Sequence, residues 1–154
     1  MEGTSGVRNL SAGWFLTRVL VFAAAVPILM RLRLPALHGL LERRIASVAG
    51  VDRDRVPPAV ILRYVESALT LGAPLVRSTC LTRGLTLYYF LRRAGVDVTL
   101  RFGARRAKEG LTQAPGHCWL EKDGEPMFEN SDPLQYVVPI YSLPASPSPR
   151  SETA

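Results

Sequence analysis

At 154 residues, 47% of them hydrophobic, the chain is long enough to bury the core of one ordinary domain without disulfide or metal staples. Its formal charge of +6 is carried almost wholly by arginine, Lys108 and Lys122 being the only lysines, and the arginines are scattered with no aromatic-interleaved basic run, which argues against a nucleic-acid partner. Two cysteines, Cys80 and Cys118, are too few for a secreted disulfide scaffold and fit a reducing, cytoplasmic compartment; with only His38 and His117 beside them, no zinc-ligand set can be assembled, and neither a metal nor a cofactor is expected.

The first element is the apolar stretch "WFLTRVLVFAAAVPILMRLRL". Its unbroken run from Val19 to Met30 is shorter than the ~20 residues of a spanning helix, and extending it backward encloses Arg18. No small-x-small cleavage pattern follows Met30, as a secretory signal would require. The segment reads as a hydrophobic helix packed on the domain, with membrane association through Trp14 to Met30 left open. "PALHGLLERRIASVAG" is a second helix ending at Gly50, with Arg43 and Arg44 where a helix dipole favours cations. His38 lies on it without a second ligand in local reach and reads as a surface or packing residue.

Pro57 and Pro58 open a third helix through "AVILRYVESALTL", whose Ile61, Tyr64, Val65, Ala68 and Leu69 share one face, and Gly72 and Pro74 end it. In "STCLTRGLTLYYFLRRAG", Ser78 or Thr79 can cap a fourth helix that stops at Arg92, Arg93 and Gly95; Leu81, Gly84, Leu85, Tyr88 and Leu91 form its apolar face. The period then changes, since Val96, Val98, Leu100 and Phe102 alternate with polar residues as in a half-buried strand. A polar loop, Arg105 to Pro115, leads to a strand His117 to Glu121, a turn at Asp123-Gly124, a strand Pro126 to Asn130 and a short strand "QYVVPIY". The Pro/Ser-rich tail reads as disordered. The organisation is a hydrophobic helical region (1–56), a core (57–142) and a tail (143–154).

Adjacent strand residues point to opposite faces, so His117 and Cys118 do not form a pair. Cys80 has the stronger case for reactivity, because the dipole and free N–H groups of a helix start stabilise a thiolate and can receive the oxyanion of a tetrahedral intermediate. A histidine on a strand facing that helix end would be its base. The residue orienting the imidazole depends on hairpin register: a two-residue turn sets His117 opposite Asn130, a three-residue turn sets it opposite Glu129, and Asp132 could reach back from the strand end. Trp119 shares a face with His117 and reads as core whose indole N–H needs a partner.

"STCLTRGLTLYYFLRRAGVDVTLRFGARR" followed by "GHCWLEKDGEP" resembles the transglutaminase-like cysteine-peptidase fold, in particular the lasso-peptide maturation B-protein family of bacteria. That family shows a nucleophile Cys followed by Leu, a leucine-rich helix ending near "LRRxG", a strand ending in Gly-Val, and "AHAWVE" before a glycine turn; the likeness covers Ile61 to Tyr141. It implies an α+β, papain-like fold in which N-terminal helices accompany a nucleophile helix packed on a small antiparallel sheet. Cys80 matches the nucleophile and His117 the base. The acid falls by position on Glu129, where the family usually has Asp, while Asp132 is nearer the spacing of transglutaminases proper. Cys118 and Ala104 replace the family's Ala and Val. The implied activity is removal of a leader segment from a ribosomally made precursor peptide through a Cys thioester. The implied partners are that precursor, a separate leader-recognition protein and an ATP-dependent cyclase. Two alternatives are an acyl transferase using the same intermediate and a non-catalytic scaffold that binds a peptide or maturation enzyme.

Overall fold

The structure is a computed structural model that describes residues 5–47, 56–73, 75–105 and 116–144, with side chains from Gly13 onward and excepting that of Arg105. Most of the expected loop from Arg105 to Pro115, nearly all of the tail, the end of the second helix at Gly50, and Pro74 lie outside the described residues. Among the described residues the chain is α+β, with four helices followed by a four-stranded antiparallel sheet. It divides into two compact units, Met1–Val98 and Thr99–Ala154.

The first unit holds α1 (Ser5–Leu29), α2 (Leu34–Ala46), α3 (Pro58–Leu71) and α4 (Cys80–Arg93). α1 packs on α3 and α4, and α2 on α4. The inward faces follow the helical period: Val19, Ala23 and Val26 of α1, Leu37 and Leu41 of α2, and Ile61, Val65, Ala68 and Leu69 of α3 are all buried. α4 is buried nearly all round, Leu85, Leu87, Tyr88 and Leu91 being fully enclosed. Polar ties fix it against its neighbours. Arg83 Nε donates to Glu66 of α3 at 2.7 Å, and the Tyr88 hydroxyl donates to Glu42 of α2 at 2.9 Å, beside Arg92. His38 Nε2 is 3.9 Å from the same Glu42, one turn along α2. No helix among the described residues is long and apolar enough to cross a membrane.

α4 ends in a cap that also relocates the first strand. Gly95, at φ 82°, donates to the Arg92 carbonyl, and Val96 donates to the Leu91 carbonyl, the paired bonds of a Schellman motif. Val96 is thereby spent on closing the helix, so β1 covers Thr99–Arg105 and starts later than the alternation from Val96 predicts.

In the second unit the strand order is β3-β2-β1-β4, with β2 Gly116–Lys122, β3 Glu125–Met127 and β4 Val137–Leu143. Leu120, Leu100 and Leu143 lie side by side across β2, β1 and β4, all buried. β4 carries Pro139, which an edge strand tolerates because one row of its amides is unpaired. The β1–β4 register shifts between Phe102 and Gly103. At that bulge a Cβ on Gly103 would collide with Val137 Cγ1 and lie 2.5 Å from the Val138 carbonyl oxygen, so only glycine lets β4 come this close.

Candidate active site

Cys80 is the first residue of α4. Thr79 ahead of it is extended, φ −115° and ψ 159°, and its Oγ1 accepts the Thr82 N–H at 3.1 Å while its carbonyl accepts the Arg83 N–H at 3.0 Å. The Thr82 hydroxyl lies 3.0 Å from Thr79 Oγ1. Threonine caps well because its side-chain oxygen replaces the carbonyl that a helix start lacks, and here it fixes the turn on which Cys80 sits. Cys80 is exposed, whereas Cys118 is buried on β2. An exposed thiol at the positive end of a 14-residue helix is placed where the thiolate is favoured.

His117 is the second residue of β2, and the pleat puts it on one face with Trp119 and Glu121 while Cys118 and Leu120 point the other way. Opposite it on β1 stands Gly103, which has no side chain to crowd the ring. The imidazole lies nearly parallel to the Trp119 indole at 6.1 Å and is tilted 45° to the Tyr136 ring at 6.1 Å. Its Nε2 is buried and makes no hydrogen bond among the described residues; Glu129 Oε2 faces it at 3.8 Å. That separation is an ion pair when the ring is protonated, and too long for a hydrogen bond. With Nε2 turned to a carboxylate, Nδ1 is the nitrogen left to exchange a proton with a nucleophile or leaving group.

The hairpin delivers Glu129 by a route that neither register predicts. Asp123 at φ 54° and Gly124 at φ 85° form a two-residue type I′ turn, and Lys122 pairs with Glu125, Glu121 with Pro126 and Leu120 with Met127. Continued to Asn130, that pairing would set His117 opposite Asn130. β3 stops instead at Met127, and Phe128 takes φ 62°, which turns the chain and brings the Glu129 side chain to His117. Asn130 is exposed. Asp132 is also exposed and caps the 3-10 turn Pro133–Gln135, its Oδ1 accepting the Leu134 N–H at 3.0 Å; among the described residues it makes no ion pair with His117.

Glu121 is the residue that sequence reasoning missed. It is buried, accepts the Trp119 indole N–H at 2.9 Å through Oε1, and accepts Arg101 Nε at 2.8 Å through Oε2. The signal was available: an enclosed indole needs an acceptor, and the residue two positions along the same strand face is the nearest candidate. Its effect is to hold Trp119, whose indole lies nearly parallel to the imidazole. Among the described residues no three His, Cys, Asp or Glu side chains converge as a metal site would require.

The first unit offers a thiol at a capped helix start, and the second a histidine whose Nε2 faces a carboxylate. The family model described as transglutaminase-like superfamily matches residues 22–142, which is more than half of the chain. Searches of curated proteins and of solved structures returned no significant match.

Proposed function

The chain belongs to the transglutaminase-like superfamily, and on that premise we propose that it is a cysteine-dependent amide hydrolase acting on a peptide. The observation that carries this reading is Cys80, an exposed thiol at the first position of a helix capped by Thr79. In the reaction, the Cys80 thiolate adds to the amide carbonyl carbon, and the carbonyl oxygen takes the negative charge beside the first-turn amides of α4. His117, protonated, gives its Nδ1 proton to the departing amine as the C–N bond breaks, leaving a thioester. It then takes a proton from water, whose oxygen attacks the thioester; the thiolate leaves and the acid is released. Glu129 keeps the imidazole oriented through Nε2, and Asp132 is the substitute for that role.

The finer reading follows the sequence resemblance: removal of a leader segment from a ribosomally made precursor, in concert with a separate leader-recognition protein and an ATP-dependent cyclase. The test is digestion of a synthetic library of leader–core peptides, with products read by mass spectrometry, in the presence and absence of a labelled primary amine. Cleavage to free carboxylates that disappears in Cys80→Ala and in His117→Ala is the expected result. Amine incorporation without hydrolysis would assign acyl transfer instead, and cleavage that survives Cys80→Ala would remove the cysteine from the chemistry.

A further inference from the structure

The first unit carries a groove that the thiol chemistry does not use. α1, α2 and α4 leave an open channel of about 530 Å³. Along α1 its wall is Trp14, Arg18, Val21, Ala25 and Leu29, spaced by three or four residues over about 22 Å of helix. Leu40 and Leu41 of α2 and Tyr89 and Phe90 of α4 complete it. The floor is a packed aromatic cluster, in which Phe22 stacks on Tyr89 at 4.3 Å with the rings 8° apart and meets Phe90 edge-on at 5.8 Å. Above this floor Trp14 is 67% and Val21 65% exposed.

Three cations, Arg18, Arg44 and Arg93, also line the groove, and no Asp or Glu does. Among the described residues none of the three has a carboxylate partner, whereas Arg83 and Arg101 each pair with one and Arg92 with both Glu42 and Asp97. Arg93 is folded over Tyr89, its guanidinium 5.5 Å from the ring centre and donating to the hydroxyl at 3.0 Å. The groove thus combines an apolar channel four helical turns long with positive charge that no carboxylate among the described residues pairs with.

We propose that the groove docks an amphipathic helix of a partner protein whose apolar stripe is flanked by carboxylates. The length and the three-and-four spacing of the α1 wall match what such a helix presents, and its acids would meet the three arginines. A small ligand would leave much of its own surface in water between walls this open. A second copy of the chain is the wrong charge, since α1 has no acidic residue and would oppose arginine with arginine. A flat anionic bilayer would not fill a concave channel.

The test is titration of the full chain with a synthetic helix of about 16 residues, long enough to span the groove, carrying leucines at i, i+3, i+4 and i+7 with glutamates beside them. The same peptide with lysine in place of glutamate, and phosphatidylglycerol vesicles, serve as rivals. Trp14 emission is the readout, with Trp14→Phe as its control. The glutamate peptide is expected to shift the emission to the blue and saturate, and to bind at least ~10-fold more weakly, about 1.4 kcal/mol, in Val21→Glu and in Arg44→Glu. Both substitutions are at exposed positions. Cys80→Ala leaves the titration unchanged, which separates this proposal from the catalytic one. Failure of the glutamate peptide to bind, equal binding of the lysine peptide, undiminished binding by the two variants, or a response to vesicles alone overturns it.

Discussion

His117 Nε2 and Glu129 Oε2 face each other at 3.8 Å although the hairpin that carries them never pairs the two residues. A left-handed Phe128, a conformation costly for a bulky side chain, is what turns Glu129 inward. Glu129→Gln keeps the shape and removes the charge. On the proposed mechanism it slows Cys80 alkylation below pH ~8.5 and cuts any peptide-cleavage kcat by about 10²-fold. Asp132→Asn should leave both unchanged; the reverse pattern would transfer the orienting role to Asp132.

Glu121 ties Trp119 and Arg101 together on the sheet. Glu121→Ala leaves the enclosed Trp119 N–H without an acceptor and Arg101 without its carboxylate, so the variant should lose about 1–3 kcal/mol in urea unfolding. Glu121→Gln retains a carbonyl for the indole and should lose less. Equal losses in the two variants would mean that charge, not the indole bond, is what matters there.

Gly103 admits β4 to the sheet. Gly103→Ala forces a methyl against Val137 and the Val138 backbone, at a cost of about 1–3 kcal/mol of stability. Hydrogen exchange should show the loosening concentrated in the amides joining β1 to β4 rather than in the hairpin of β2 and β3.

Tyr88 sets an alkaline limit. Burial first, and then the Glu42 carboxylate, hold its phenol well above the ordinary tyrosine range. The folded state therefore keeps a proton that the unfolded chain releases near pH ~10. This contribution is whole below that pH and is lost as pH rises toward the folded-state value. Thermal melts should show the wild-type chain losing stability above pH ~10 more steeply than Tyr88→Phe; parallel curves would deny Tyr88 this role.

Much of the helical unit was legible in the sequence because burial and period coincide there. Ile61, Val65, Ala68 and Leu69 are enclosed as their spacing requires, and Thr79 is the cap of α4. β1 was displaced because an alternating pattern cannot reveal that Val96 is consumed by a helix cap. β3 is shorter than the strand expected from Pro126 to Asn130 because hydrophobic pattern carries no warning that Phe128 leaves the strand. The same break hid how Glu129 reaches His117, since register arithmetic assumes a strand that continues. Glu121 escaped notice because an acid alternating along a strand reads as solvent-facing unless the needs of the neighbouring indole are counted.

On the proposed mechanism Cys80 is the reactive thiol and His117 its base. Alkylation rates of both cysteines, followed by mass spectrometry across pH in the wild-type chain and in His117→Ala, test it most directly. Cys80 is expected to react as a thiolate well below pH ~8.5, to lose this reactivity with the histidine, and buried Cys118 to stay slow in both proteins. A Cys80 that titrates near ~8.5 like an ordinary thiol, with or without His117, would contradict it.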